Sequence, residues 1–270
     1  MSAMDSTCAL AGAEGDAAFE PLRRELAQWQ AAGRCCPLWW RDDDLVADTP
    51  ALRRLADFAA RNALPALVAV IPGQAADALA ADTAAFTGLS FCQHGWQHRN
   101  HEADGAAPSE FGAARQLDAV AEDLRRGRER MAGLFGDRFV PVFVPPWNRF
   151  RSDALTLLPE LGLRGISQYR GQTRGTDVAV RAVDCHLDIL QWAPQPPIRC
   201  QPVDALVEVL VAVLREHREA AEPPPLGILS HHRPMGDDAW AFMQRLVDVS
   251  REFDCVRWLP AAELFALDRG

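Results

Sequence analysis

Short apolar runs alternate with amphipathic stretches of helical period along most of this chain. Runs at 38–40, 66–71, 89–92, 139–144, 164–167, 226–229 and 255–258 predict strands, because brief apolar segments bounded by turn residues suit buried parallel strands. Helical spacing occupies 21–32, 50–62, 110–135 (as one helix or two), 152–161, 202–221, 237–253 and 261–267. In the first of these, Leu22, Leu26 and Trp29 share one face. Thr49 ahead of Pro50 is a helix start, with a side-chain cap and a first residue that needs no amide hydrogen. Residues 180–192 hold one or two further short strands. Strand–helix alternation predicts β/α units on a largely parallel sheet. About seven units suggest a closed or nearly closed barrel, with an open doubly wound sheet as the alternative. Residues 1–17 read as a disordered lead and 18–270 as one domain. The loops 169–179 and 193–201, rich in Gly, Pro and polar residues, are expected to overhang the active face.

Composition narrows the function. With 28 basic against 37 acidic residues the net charge is −9, which argues against a nucleic-acid or anionic-membrane partner. Every basic residue is Arg, so Schiff-base chemistry on an internal lysine is excluded. The seven cysteines form no C-x-x-C pair, and Cys92 reads as a buried strand residue rather than a nucleophile. The first 16 residues lack the apolar core of a secretory signal, and no run reaches the roughly 18 apolar residues of a membrane span. A soluble cytoplasmic protein is the expectation.

The chemistry lies at strand ends. Asp42, Asp43 and Asp44 follow the run Leu38–Trp40, and three adjacent like charges there call for a cation. Arg41 supplies one, and a metal ion is the natural candidate for the rest. His94 and His98 follow the run at 89–92, Pro145, Trp147 and Asn148 follow 139–144, and His231 and His232 follow 226–229. In a parallel barrel all these ends open on one face. An aspartate with two imidazoles is a common three-ligand set for zinc or a similar ion, with one position open.

These residues resemble the polysaccharide deacetylase superfamily, the metal-dependent carbohydrate esterases that carry the chitooligosaccharide deacetylase homology domain. The motifs run in order from about Leu38 to Phe265. The family's T-F-D-D corresponds to Arg41-Asp42-Asp43-Asp44, and its H-[ST]-x-x-H to His94-Gly95-Trp96-Gln97-His98. F-R-P-P-Y-G corresponds to Phe143-Val144-Pro145-Pro146-Trp147-Asn148, an Asp followed by Trp to Asp188 and Trp192, and L-x-H to Leu229-Ser230-His231. The resemblance implies a distorted (β/α)7-type barrel, α/β and mostly parallel. It implies metal ligands Asp44, His94 and His98, a general base Asp43 acting on a metal-bound water, and a general acid His231 supported by Asp188. Pro145, Trp147, Asn148 and Trp192 would contact substrate, the tryptophans as stacking platforms. The metal would be one divalent ion, zinc first, with cobalt, manganese, nickel or iron as alternatives.

Two departures matter. Val144 stands where the family places an arginine beside the base, so Arg41 or Arg149 is the candidate compensating cation. The acidic run also admits a second register, with Asp42 as base and Asp43 as ligand. Among the other histidines, His101 and His232 are expected in supporting or exposed roles, and His217 on a solvated helix face. The expected activity is removal of an N-acetyl or other acyl group from a sugar or sugar-containing small molecule. The alternatives are hydrolysis of a non-sugar linear amide, or a catalytically silent barrel that binds glycan or a partner.

Overall fold

A computed structural model describes residues 17–172, 180–192 and 198–267. The expected lead at 1–17 falls almost wholly outside the described residues. The strands are β1 (Cys36–Leu45), β2 (Ala66–Val70), β3 (Leu89–His94), β4 (Phe139–Val144), β5 (Gly165–Ile166), β6 (Arg181–Ala182), β7 (Cys185–Asp188), β8 (Leu190–Gln191), β9 (Arg199–Cys200), β10 (Leu226–Ser230) and β11 (Val256–Trp258). The helices are α1 (Glu20–Ala31), α2 (Pro50–Arg61), α3 (Leu79–Asp82), α4 (Leu117–Phe135), α5 (Leu157–Glu160), α6 (Val203–Glu219), α7 (Asp237–Ser250) and α8 (Ala261–Leu264). Contacts gather these elements into two units, one in Met1–Pro37, Ile189–Pro224 and Met235–Arg257, the other in Leu38–Asp188, Pro225–Pro234 and Trp258–Gly270.

The larger unit is built on a parallel sheet of order β6-β5-β4-β3-β2-β1-β10-β7. β6 and β7 are separated by Val183 and Asp184 alone, and the backbone beyond β5 runs beside both. The Val183 amide donates to the Ile166 carbonyl at 3.1 Å and the Cys185 amide to that of Gln168 at 2.8 Å. Cys185 bridges Tyr169 on one side and pairs with Gly227 of β10 on the other. The sheet therefore closes on itself. With β6 and β7 counted as one strand, the circuit is the seven-membered α/β barrel expected from the sequence.

Much of its interior is apolar. Trp39, Leu67, Ala69, Cys92, Val142, Val144, Cys185 and Leu229 form one buried cluster with Leu264 and Phe265 from the C-terminal segment. Alternation along β1 follows from the period of two. Trp39 points inward and meets the Phe265 ring edge-on at 6.4 Å. Trp40 points outward onto Phe58 of α2 at 5.8 Å. Thr49 caps α2 as expected, its hydroxyl accepting the Leu52 amide at 3.1 Å. The helix expected from 110 begins only at Leu117. Phe111 instead buries its ring against Phe143 and Phe150, at 5.4 and 5.9 Å, which holds this stretch in a loop.

In the smaller unit α1 and α6 pack together, and β8 and β9 form an antiparallel ribbon. Arg218 of α6 donates to the buried Glu25 of α1 at 2.7 Å. His217 is 6% exposed, so the expectation of a solvated histidine is corrected. It continues the apolar stripe Leu206, Leu210, Val213 and Leu214 at helical spacing.

Candidate metal centre

The three aspartates of β1 part company at its C-terminal end. Asp42 continues the outward phase of Trp40 and pairs in register with Ser230. The Ser230 hydroxyl donates to Asp42 Oδ2 at 2.5 Å, and His232 Nδ1 lies 2.5 Å from Asp42 Oδ1. Trp40 Nε1 donates in turn to Ser230 at 2.8 Å. This carboxylate is wholly buried in a knot between β1 and β10. His232 is buried with it, which excludes the exposed alternative for that residue.

Asp43 takes the inward phase beside Arg41. Arg41 Nη2 donates to Asp43 Oδ2 at 3.0 Å, and Arg41 Nε lies 3.0 Å from Asp43 Oδ1. Two further strand ends complete the arginine's surroundings. Arg41 Nη1 donates to the Ser167 hydroxyl at 2.8 Å, just past β5, and Nη2 also donates to Asn148 Oδ1 at 2.7 Å. The guanidinium is fully buried, so these partners offset the cost of bringing its charge into the barrel. Arg149, the other candidate cation, donates to the Pro108 carbonyl at 3.1 Å. The Asn148 side-chain oxygen caps Arg41, and its carbonyl accepts from Gln168 at 2.9 Å.

Asp44 leaves the alternation. Its φ of 72° is left-handed, and the β1–β2 register shifts between Asp42 and Leu45. The kink brings Asp44 Oδ1 to 3.2 Å from His94 Nε2 and 3.5 Å from His98 Nε2. One ligand atom from each of Asp44, His94 and His98 lies within 4.8 Å of the others, the one such group of potential ligands among the described residues. His94 Nδ1 lies 3.0 Å from the Val144 carbonyl, which can only accept, so Nδ1 carries the proton and Nε2 is left as a lone-pair donor. Asp44 Oδ1 is buried with no hydrogen-bond partner. The donor set and that unsatisfied oxygen fit a divalent cation.

The electrostatics mark a place that draws positive charge. Burial alone would raise the Asp44 carboxyl, but His94, His231 and His98 outweigh it and hold the group well below the usual range. Burial would lower His94, and the carboxylates of Asp43 and Asp44 push it up instead. His98 is lowered by burial and by His94, which favours the neutral, ligating ring. Cys185 is pushed up to about 12 by burial and Cys92 is raised as well, so neither thiol supplies a thiolate.

The ligand turn after β3 is tightly framed. The carboxylate of Glu110 accepts the Trp96 amide at 3.1 Å and the Gln97 amide at 2.7 Å. The Trp147 ring lies 4.3 Å from that of His98, so it packs on a candidate ligand. Pro145 is buried, and its carbonyl accepts the Asn148 amide at 2.9 Å. His231 directly follows β10 and is 8% exposed, within electrostatic reach of Asp44. A register shift lets Asp188 pair with Leu229, which turns Asp188 toward the same side of the barrel. Trp192 belongs to the smaller unit and is 49% exposed.

Sequence reasoning missed Ser167, Glu110 and the pairing of Asp42 with His232. Ser167 and Gln168 carry the same signal as the other sites, polar residues directly behind a strand. Glu110 carries none, because its neighbourhood reads locally as helix.

No protein-family profile matches the chain, and no curated protein matches it. Solved structures do. A putative polysaccharide deacetylase from Mycobacterium smegmatis aligns at TM-score 0.57 and 16% identity, over 86% of this chain and 93% of that one. A family 4 carbohydrate esterase from Streptomyces lividans, in complex with acetate, aligns at TM-score 0.54 and 14% identity, over 83% and 92%. A family 4 acetyl xylan esterase from Clostridium thermocellum, in complex with a cobalt ion, aligns at TM-score 0.51 and 16% identity, over 85% and 91%. The chain has the fold of the polysaccharide deacetylases and family 4 carbohydrate esterases.

Proposed function

We propose that this protein is a metal-dependent deacylase of the polysaccharide deacetylase superfamily, acting on an acylated sugar or sugar-containing small molecule. The observation that carries the proposal is the convergence of Asp44, His94 and His98 beside an inward-facing Asp43 already paired with a buried cation. Acetate and a cobalt ion in two structures of the same fold point the same way. A divalent cation held by the three ligands would supply Lewis acidity, polarising an acyl carbonyl and acidifying water.

The chain's own groups divide the remaining work. Asp43 accepts a proton from the attacking water at a carboxylate oxygen. Arg41 donates to Asp43 Oδ2, sets its charge 3.0 Å from Oδ1, and so fixes the direction in which the carboxylate accepts. His231 returns a proton from its ring to the departing amine or alkoxide. Asp188, on the same side of the barrel, supports that ring. Trp147 holds the His98 ring in place, and its outer face is left to sugar. Among readings of the acidic run, the opposite phases of Asp42 and Asp43 support Asp43 as base with Asp44 as ligand. The Arg41–Asp43 pair also favours catalysis over a silent barrel, because the cation absent at Val144 arrives from β1.

Elemental analysis of the purified protein tests the centre. Wild type is expected to hold about one equivalent of a divalent metal and His94→Ala very little, with acetate released from N-acetylated or O-acetylated sugars by the former alone. No metal in wild type after reconstitution with zinc, cobalt, manganese, nickel and iron would overturn the reading.

A further inference from the structure

We propose that Glu110 is a positioning residue for the candidate ligand His98, holding the turn between the two histidines in the strained shape that metal binding needs. This rests on the metal centre proposed above. His98 has a φ of 54°, a left-handed conformation that a side-chain-bearing residue keeps only where its surroundings over-determine it.

Those surroundings can be accounted for group by group. The Gly95 amide donates to Val144 at 3.1 Å, and the Gly95 carbonyl accepts from Gln93 Nε2 at 3.1 Å. The Trp96 carbonyl accepts the Gly73 amide at 2.7 Å, and that of Gln97 accepts from Gln74 Nε2 at 2.6 Å. The two remaining groups are the amides of Trp96 and Gln97, and both go to Glu110, one to each carboxylate oxygen. Every backbone donor and acceptor of residues 95–97 is thus met. Glu110 is the one acidic member of this frame and reaches it from outside the motif. It is 1% exposed, so no water can readily replace it.

The fit also explains a residue choice. A Cβ on Gly95 would fall 2.1 Å from Glu110 Oε2 and 2.5 Å from Pro146 Cγ, at a φ of 60°. The motif offers Ser or Thr at that place. Here glycine leaves the space, and Glu110 fills it with a carboxylate from another part of the chain. A carboxamide could not do the same work, because its NH2 would face one of the two backbone N–H groups.

The test compares wild type, Glu110→Gln and Glu110→Asp in the full-length protein by two readings. The first is amide hydrogen exchange without metal. Exchange at one at least of Trp96 and Gln97 should quicken roughly tenfold or more in E110Q, with amides of β2 unchanged, since the carboxamide leaves a buried amide without its acceptor. The second is zinc titration, where the dissociation constant should rise roughly 10–100-fold in E110Q, as for other residues that orient metal ligands. E110D keeps the charge but retreats by one methylene, and should fall between the other two in both readings. Wild-type exchange and wild-type zinc affinity in folded E110Q would overturn the proposal, as would a rise in exchange spread evenly over the barrel. Should E110Q not fold, E110D carries the test, with wild-type behaviour in both readings as the overturning result. If wild type itself takes up no zinc, the metal centre falls, and the exchange at Trp96 and Gln97 still decides whether Glu110 frames the turn.

Discussion

Arg41 shows how much one side chain can depend on partners far away in sequence. Its ion pair is local, but its two other acceptors, Asn148 and Ser167, stand 107 and 126 residues along the chain. Truncating it would strand the Asp43 carboxylate inside the barrel, so Arg41→Ala should cost about 3–5 kcal/mol in urea denaturation. Arg41→Lys keeps the charge but not the fork, and should fold while losing most turnover. Arg149→Ala, measured beside it, should retain turnover. If both variants turned over like wild type, Arg41 would not be what orients Asp43. The need for a cation was legible, since Val144 leaves the motif without one. Which arginine supplies it was not, because a strand's alternation gives the side a residue faces and not the partners waiting there. His217 is the opposite case. The spacing that buries it was present in the sequence, and the charges around it drew attention away.

At the scale of elements, polar side chains rather than hydrogen-bonded backbone alone fasten β1 to its neighbours at the working end. Asp42 ties β1 to β10 through Ser230 and His232, and its substitution separates this structural role from catalysis. Asp42→Ala leaves a buried hydroxyl and a buried imidazole without their acceptor, at about 1–3 kcal/mol for each group. The urea midpoint should fall while metal content stays at the wild-type value. A loss of metal with unchanged stability would instead place Asp42 among the ligands. The elements themselves were largely readable, as was the polarity of their ends. β1 proved longer than its apolar run because the aspartates belong to the strand, Asp42 and Asp44 meeting partners on other elements and Asp43 pairing with Arg41 of β1 itself. The segment at 110–116 read as helix because its composition permits one, and only the packing of Phe111 on Phe143 and Phe150 says otherwise.

The larger unit, taken whole, is a ring polar at one end and plugged by apolar side chains at the other. Phe265 fills the end away from the aspartates, against Trp39 and so close to Gly165 that a Cβ there would meet its ring at 2.4 Å. Phe265→Ala should therefore cost about 3–5 kcal/mol on thermal or urea unfolding. A far smaller cost would mean that the barrel closes over the gap. Closure was only half legible, since counting β/α units suggests a ring but cannot identify Tyr169 and Cys185 as the place where it shuts. The ring also fixes what the acidic triplet can tolerate. As letters the three aspartates are interchangeable, and losing any one of the three codons yields the same shortened protein. In space they are a knot, a proposed base and a proposed ligand, distinguished only by their count from Trp40. One lost codon, of whichever residue, would leave two carboxylates for three posts and would shift everything behind it by a step.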